Sequence, residues 1–304
     1  MKKFKEKAPG ILSMAELKTP YGKFLYWLFF TLLSIVCITS VVPTIWTIVT
    51  AFKPTQEILG SEVTFFPKEM SFEIFKTRIT ESWAALHLEN AIINTIVLSI
   101  GELFMTLAFD GLGGYVLSKL KPKGIKFVFT LVVWTMMLPT QIRMVPLYIS
   151  WLHYPFAYDI GGVSLMNTYW PMWISAAANT FNVILFKNSF DMLSNSYVEA
   201  AKLDGCTNIG VLMRILFPLS MPIVIYVSIM QLSGSWANFF TPMLVLNSEK
   251  STVPVKLLQL KSNTSIQINT YFMCMVFASL PTFLIFAVFQ KQIMGGINVG
   301  GVKQ

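Results

Sequence analysis

The stretch Ser196-Tyr197-Val198-Glu199-Ala200-Ala201-Lys202-Leu203-Asp204-Gly205-Cys206-Thr207-Asn208-Ile209-Gly210, followed by Ile215-Leu216-Phe217-Pro218, decides how the rest of the chain is read. It is mostly polar or small in a chain that is otherwise apolar, and it lies between two apolar segments long enough to cross a bilayer. Its spacing predicts two short helices with a bend. Ser196 can cap the first, with Glu199 three residues on completing a capping box. Gly205 can close it by taking a left-handed backbone, which a glycine adopts without steric cost. A solvated segment of this kind is where a soluble partner could grip; an amphipathic helix lying in the membrane interface without a partner is the alternative.

Outward from that stretch, the composition explains why it stands apart. Of 304 residues, 54% are hydrophobic and 12% charged, against about 25% charged in soluble domains, and the mean hydropathy is +0.61. The chain is therefore a polytopic, all-α membrane protein. Its net charge of +8 does not point to nucleic acid, because Lys and Arg occur in short clusters beside apolar spans rather than along one basic face. Cys37, Cys206 and Cys274 show no paired spacing, and His87 and His153 are far from each other and from any Cys, so neither a disulfide framework nor a metal site is expected. No cofactor is expected either. No Gly-rich loop of the G-x-x-x-x-G-K-[ST] kind occurs, so ATP hydrolysis by this chain is not expected.

A crossing takes about 20 apolar residues, and six segments qualify: 24–51, 91–117, 127–152, 169–190, 211–232 continuing irregularly to 246, and 271–289. The first is too long for a signal peptide and follows a Lys-rich leader, so it reads as a retained span. With the N-terminus in the cytoplasm, the inside segments collect fifteen Lys and Arg and the outside segments eight. That excess places both termini inside, and puts the Glu199 stretch in the cytoplasm. The expected organisation is a cytoplasmic segment 1–23, a six-span domain 24–292 with its polar loop at 194–218, and a cytoplasmic tail 293–304.

Glu199-Ala200-Ala201, Asp204-Gly205 and the trailing Ile215 to Pro218, set between two spans, resemble the EAA loop of bacterial ABC importer permeases. Lys53-Pro54-Thr55, Asn94-Thr95 and Gly111-Leu112-Gly113-Gly114-Tyr115 extend the likeness to sugar permeases, as does Ser233-Gly234-Ser235-Trp236-Ala237-Asn238-Phe239-Phe240-Thr241-Pro242-Met243-Leu244, with Ala237 intruding between Trp and Asn. The Gly-rich end, 295–304, is similar to the terminus of the maltose-type smaller permease subunit. The resemblance implies a type I importer architecture in a bacterial cytoplasmic membrane. It implies a homologous second permease, two ATPase subunits, and an extracellular or periplasmic sugar-binding protein as partners. It further implies that Glu199, Ala200, Ala201, Asp204 and Gly205 dock an ATPase, that loop 247–269 faces the binding protein, and that the tail reaches the ATPase pair.

Other residues leave alternatives open. Trp236, Asn238 and Phe239 offer an indole, an amide and an aromatic face, as a sugar path would, or form an interfacial aromatic belt. Pro139 and Pro146 break the third span, which suits a cavity wall or a merely kinked helix. Glu102 and Asp110 inside the second span are either pathway groups or buried partners of other polar side chains. A proton-coupled secondary transporter with these two acids as its relay is the competing function, and a passive membrane scaffold a third.

Overall fold

In the computed structural model, which describes residues 19–62, 64–69, 71–153, 164–262 and 266–294, every regular element is a helix. Residues 1–18 and 295–304, which carry most of the leader and the Gly-rich tail, lie outside the described residues.

Helix α1 (Pro20–Ala51) opens on Thr19, whose hydroxyl accepts from Gly22 N at 3.0 Å, with Pro20 at a first position that needs no amide proton. At 32 residues it is about 48 Å long. Its apolar side chains, Phe24, Trp27 and Leu33 among them, face outward. Short helices α2 (Thr55–Leu59) and α3 (Phe72–Leu86) follow outside the first span. Helix α4 (Leu88–Leu120) then runs 33 residues without a stop. Two π-bulges, at Thr106–Asp110 and Val116–Leu120, interrupt its regular ladder, a feature that often marks functional positions.

The third expected span is two helices, α5 (Ile125–Met137) and α6 (Thr140–Leu152), with 107° between Ile125–Met137 and Ile142–Leu152. Pro139 stands at the corner, where it has no amide proton for a continuing helix. The fourth expected span, 169–190, is not continuous. Helix α7 (Trp170–Ala176) ends, Asn179 takes an extended backbone, and its Oδ1 accepts from Phe181 N at 3.1 Å to start α8 (Thr180–Asp191). A short amide side chain that caps the next helix competes with continuation of the previous one.

Helices α9 (Asn195–Leu203) and α10 (Asn208–Leu219) precede α11 (Met221–Ala237), and α10 meets α11 at 89°. The expected fifth span, 211–232 continuing irregularly to 246, is therefore bent at Ser220, with residues up to Leu219 in α10 and the following ones in α11. Ser220 closes the turn by donating its N–H to Leu216 O, and Pro222 suits the first turn of α11. Helices α12 (Phe240–Val245), α13 (Val253–Lys261) and α14 (Ile268–Met294) complete the order, and α14 packs along α1.

Among the described residues, α1, α4 and α14 are each long and apolar enough to cross a bilayer, and the two bent pairs raise that to five. The interrupted α7–α8 is the remaining expected crossing. The largest core cluster joins α4, α8, α9, α10 and α11 through Tyr115, Phe186, Val198, Val211, Leu216 and Val227, all buried. Burying a side chain such as Leu216 stabilises by about 1.5–3 kcal/mol. Gly114 lets α4 reach α8, since a Cβ there would lie 2.5 Å from Phe186 Cβ and 2.9 Å from Lys187 N.

Candidate functional site

Helix α9 is capped by Ser194, not Ser196: the Ser194 hydroxyl accepts from Ser196 N at 3.3 Å, and Ser196 lies inside the helix. The capping box expected between Ser196 and Glu199 therefore does not form, because the chain enters the helix two residues earlier. At the other end the expectation for Gly205 is met. Its φ is +79°, Cys206 N donates to Ala201 O at 2.9 Å, and Gly205 N donates to Lys202 O at 3.1 Å. These two bonds are a Schellman stop. Thr207 then caps α10 by accepting from Gly210 N at 3.1 Å.

The two faces of α9 differ. Val198 and Ala201 are buried in the large cluster, while Glu199, Ala200, Asp204 and Gly205 are exposed. Leu203, four residues from Glu199 and on its face, is 89% exposed, and Ile209 and Met213 are exposed on α10. The sequence reading did not single out Leu203. Its signal is present, because an apolar residue on the face opposite Val198 and Ala201 has nothing within the chain to cover it.

Helix α4 holds both flanks of this element. Lys119 Nζ donates to Leu193 O at 2.6 Å and to Asn195 Oδ1 at 2.8 Å, at the start of α9. Ser118 Oγ donates to Asp191 Oδ1 at 2.7 Å, and Lys187 Nζ reaches Asp191 Oδ2 at 2.6 Å. Tyr115 OH donates to Asn208 Oδ1 at 3.3 Å, at the start of α10. The α9–α10 element is thus fixed to the end of α4 before and after its turn.

Beside the middle of α4 lies a cavity of about 900 Å³, lined by Glu102, Arg143, Trp151, Gln231, Asn238 and Thr241 among others. Asn238 is the extended residue between α11 and α12, and its Oδ1 accepts from Thr241 N at 3.4 Å. Of the three expected path residues the structure brings only Asn238 to this wall. Trp236 packs against the buried cluster of Leu88, Ala91 and Val253. Phe239 is half-exposed and pairs edge-on with Phe240 at 6.4 Å. Neither Trp236 nor Phe239 lines the cavity.

The two acids of the second span have separate partners. Glu102 Oε2 accepts from Ser235 Oγ and, at 3.2 Å, from Gln231 Nε2, whose own Oε1 accepts from Thr106 Oγ1 at 3.2 Å. Glu102 and Thr106 are four apart on α4, and Gln231 and Ser235 four apart on α11, so each pair shares a helix face. Asp110 is fully buried and accepts from Asn179 N at 3.1 Å and Asn182 Nδ2 at 3.2 Å. Thr106 Oγ1 also donates to Ala176 O at 3.2 Å. The π-bulge of α4 thereby satisfies groups on both sides of the α7–α8 interruption.

On the opposite side from the α9–α10 element, Asn94 Nδ2 donates to Glu249 O and Ser251 O, and Thr95 Oγ1 accepts from Val253 N at 3.0 Å. Loop 247–269 is therefore anchored to the start of α4 and carries α13. Lys53 is buried, with its ammonium 4.7 Å from the Trp46 ring centroid and donating to Thr64 O.

Residues 111–297 match the family described as binding-protein-dependent transport system inner membrane component. The arabinooligosaccharides transport system permease protein AraQ of Bacillus subtilis (strain 168) is 31% identical over 284 residues, covering 91% of this chain and 94% of that one. The lactose transport system permease protein LacG of Rhizobium radiobacter is 24% identical over 275 residues, covering 90% and 95%. The crystal structure of a bacterial ABC transporter involved in the import of the acidic polysaccharide alginate superposes with a TM-score of 0.73 over 90% of this chain and 98% of that chain, at 20% identity.

Proposed function

Because the chain belongs to the family of binding-protein-dependent transport system inner membrane components, we propose that it is one transmembrane half of an ATP-driven carbohydrate importer. It pairs with a homologous second permease, two ATPase subunits on the cytoplasmic side, and a sugar-binding protein on the outer side. Both termini are cytoplasmic in this reading, and the six-span division follows.

One observation carries the coupling role. The α9–turn–α10 element presents Glu199, Ala200, Leu203, Asp204 and Gly205 outward from a buried backing of Val198, Ala201 and Val211. Small Ala200 admits a close partner, Leu203 offers an apolar anchor, and Glu199 offers a charge for a basic residue. Nucleotide binding closes the ATPase pair, and the element converts that closure into motion of the spans. A ligand shifts such an equilibrium only by its differential affinity for the two states. The cavity beside Asn238 is the sugar path in this reading, since sugar sites combine apolar surface with a few placed polar groups.

A relay of protons between Glu102 and Asp110 finds no support. The two acids lie eight residues, about 12 Å, apart along one helix, and each is engaged by its own set of neutral amides and hydroxyls. The test is purification of the tagged chain in mild detergent. Recovery of a subunit carrying a G-x-x-x-x-G-K-[ST] loop, and ATP-dependent oligosaccharide uptake by the reconstituted complex, are expected. A chain that purifies alone and transports in response to a pH gradient would overturn the reading.

A further inference from the structure

The Glu102 carboxyl is 5% exposed, yet its hydrogen bonds use only one of its two oxygens. Ser235 Oγ and Gln231 Nε2 both donate to Oε2, which fastens α4 to α11. Oε1 accepts nothing among the described residues, and Glu102 lies in the wall of the 900 Å³ cavity. A carboxyl presents about four acceptor positions. Oε1 is not among the enclosed side-chain atoms that lack a partner, so it opens onto the cavity and is free to meet a donor there. Packing alone does not call for this arrangement, since a Gln at this position would accept the same two bonds through its amide oxygen.

We propose that Glu102 is a substrate contact, whose Oε1 accepts a hydrogen bond from a ring hydroxyl of an uncharged oligosaccharide in the cavity. The assignment rests on the carbohydrate reading above and adds a residue and a substrate class to it. An acceptor oxygen needs an O–H or N–H donor. Neutral sugars present one on nearly every ring carbon; a uronate keeps ring hydroxyls too but adds a carboxylate, which a second carboxylate beside it disfavours. Arg143 and Asn238 line the same cavity and supply donors, so a sugar hydroxyl can be met in both directions. Glu102 also shares α4 with Tyr115, Ser118 and Lys119, which hold the α9–α10 element. One helix therefore faces the cavity at its middle and holds the α9–α10 element at its end.

The experiment uses the complete complex, with both permeases, the ATPase pair and the binding protein, in proteoliposomes. Labelled arabinotriose, maltotriose and lactose are the neutral probes, and trigalacturonate is the acidic one. If the unsubstituted complex moves none of these, the carbohydrate reading and this assignment fall together. If it moves trigalacturonate but no neutral probe, the substrate class assigned here falls while the carbohydrate reading stands. With a neutral probe that it moves, Glu102→Gln keeps the joint to Ser235 and Gln231 but turns a donor towards the cavity. ATP consumed per sugar moved is expected to rise at least fivefold. Ser235→Ala loosens the same joint without altering Oε1, and is expected to change that ratio less than twofold. A Glu102→Gln complex within fivefold of the unsubstituted one overturns the proposal. So does a Ser235→Ala effect as large as that of Glu102→Gln, or a Glu102→Gln chain that no longer assembles, since each makes Glu102 a packing group only.

Discussion

At the α9–α10 element the reactive-looking groups face out and the packing stands behind them. Glu199, Ala200 and Leu203 are exposed while Val198 and Ala201 on the same short helix are buried. At the cavity wall and the joint behind it the arrangement is reversed, because Glu102 in the wall and Asp110 and Asn182 behind it are themselves buried and hold helices together. The difference teaches how each region can be probed. Substitution on the exposed face of α9, if it is the docking surface proposed above, should change association without unfolding anything. Substitution in the cavity wall should disturb packing first, so a functional role there must be read against a stability control.

The largest expected effect tests the second half of that contrast. Asp110→Ala leaves the buried Asn182 Nδ2 and the part-buried Asn179 N without acceptors. The unsatisfied buried donor costs about 1–3 kcal/mol and the part-buried one less, so a loss of about 2–4 kcal/mol is expected by thermal unfolding in detergent. Asp110→Asn keeps one acceptor and should fall between. An Asp110→Ala chain with unchanged unfolding would remove the claim that the π-bulge holds the α7–α8 interruption.

Next in size is Leu203→Asp, which tests the docking face. With 89% of Leu203 exposed, the folded chain should lose nothing measurable in thermal unfolding. An apolar anchor at the centre of an interface contributes about 2 kcal/mol or more, which is about 30-fold in affinity. Titration of purified ATPase subunit onto the immobilised permease pair reads that loss directly, and undiminished capture would place the partner elsewhere.

A smaller effect is expected where the two regions are joined. Lys119→Met removes the donor to Leu193 O and Asn195 Oδ1 while leaving the docking face intact. Hydrogen bonds from a charged group are worth about 1.5–3 kcal/mol when buried, and partial exposure of this one reduces the figure to about 1 kcal/mol. ATPase capture should persist, while ATP hydrolysed per substrate moved rises severalfold, and Lys119→Arg should restore part of the coupling. Normal coupling in Lys119→Met would mean that motion reaches the cavity by another route.

The helix–turn–helix geometry of the α9–α10 element was legible in the sequence because its grammar is local. Small residues, a helix of known length and Gly205 at its end depend on neighbours a turn away, and all appear in the folded chain. The choice between Ser194 and Ser196 as cap was not legible, since both are serines and only the packing of Val198 and Ala201 sets the register. Hydropathy likewise ran unbroken through 211–232 and hid the corner at Ser220, where the apolar residues of α10 pack on the large cluster instead of facing lipid. The cavity was read less well. Asn238, singled out beside a helix break, does line the cavity, but Trp236 and Phe239 were grouped with it because an aromatic ring suits a sugar and a membrane interface alike. The pairing of Glu102 and Thr106 with Gln231 and Ser235 joins segments about 130 residues apart, and a four-residue spacing on each helix gives the faces without giving the partner.

The smallest expected effect concerns Gly205, where the two regions can be compared at one atom. A Cβ at Gly205 would meet nothing within 4 Å in this chain, so the glycine is needed for its φ of +79° and not for internal space. A side chain in the left-handed region costs about 1–2 kcal/mol, and Asn pays less because it visits that region more readily. Gly205→Ala should therefore lower the unfolding free energy by about 1 kcal/mol, and Gly205→Asn by less. ATPase capture supplies the second axis. If backbone conformation is all that Gly205 provides, Asn should retain capture better than Ala, in parallel with stability. If the ATPase packs against the open side of the turn, Asn should instead capture worse than Ala, because it is larger, while remaining the more stable of the two. Opposite orders on the two measurements would place the partner surface directly on Gly205, and matching orders would confine its contact to the Glu199, Ala200 and Leu203 face.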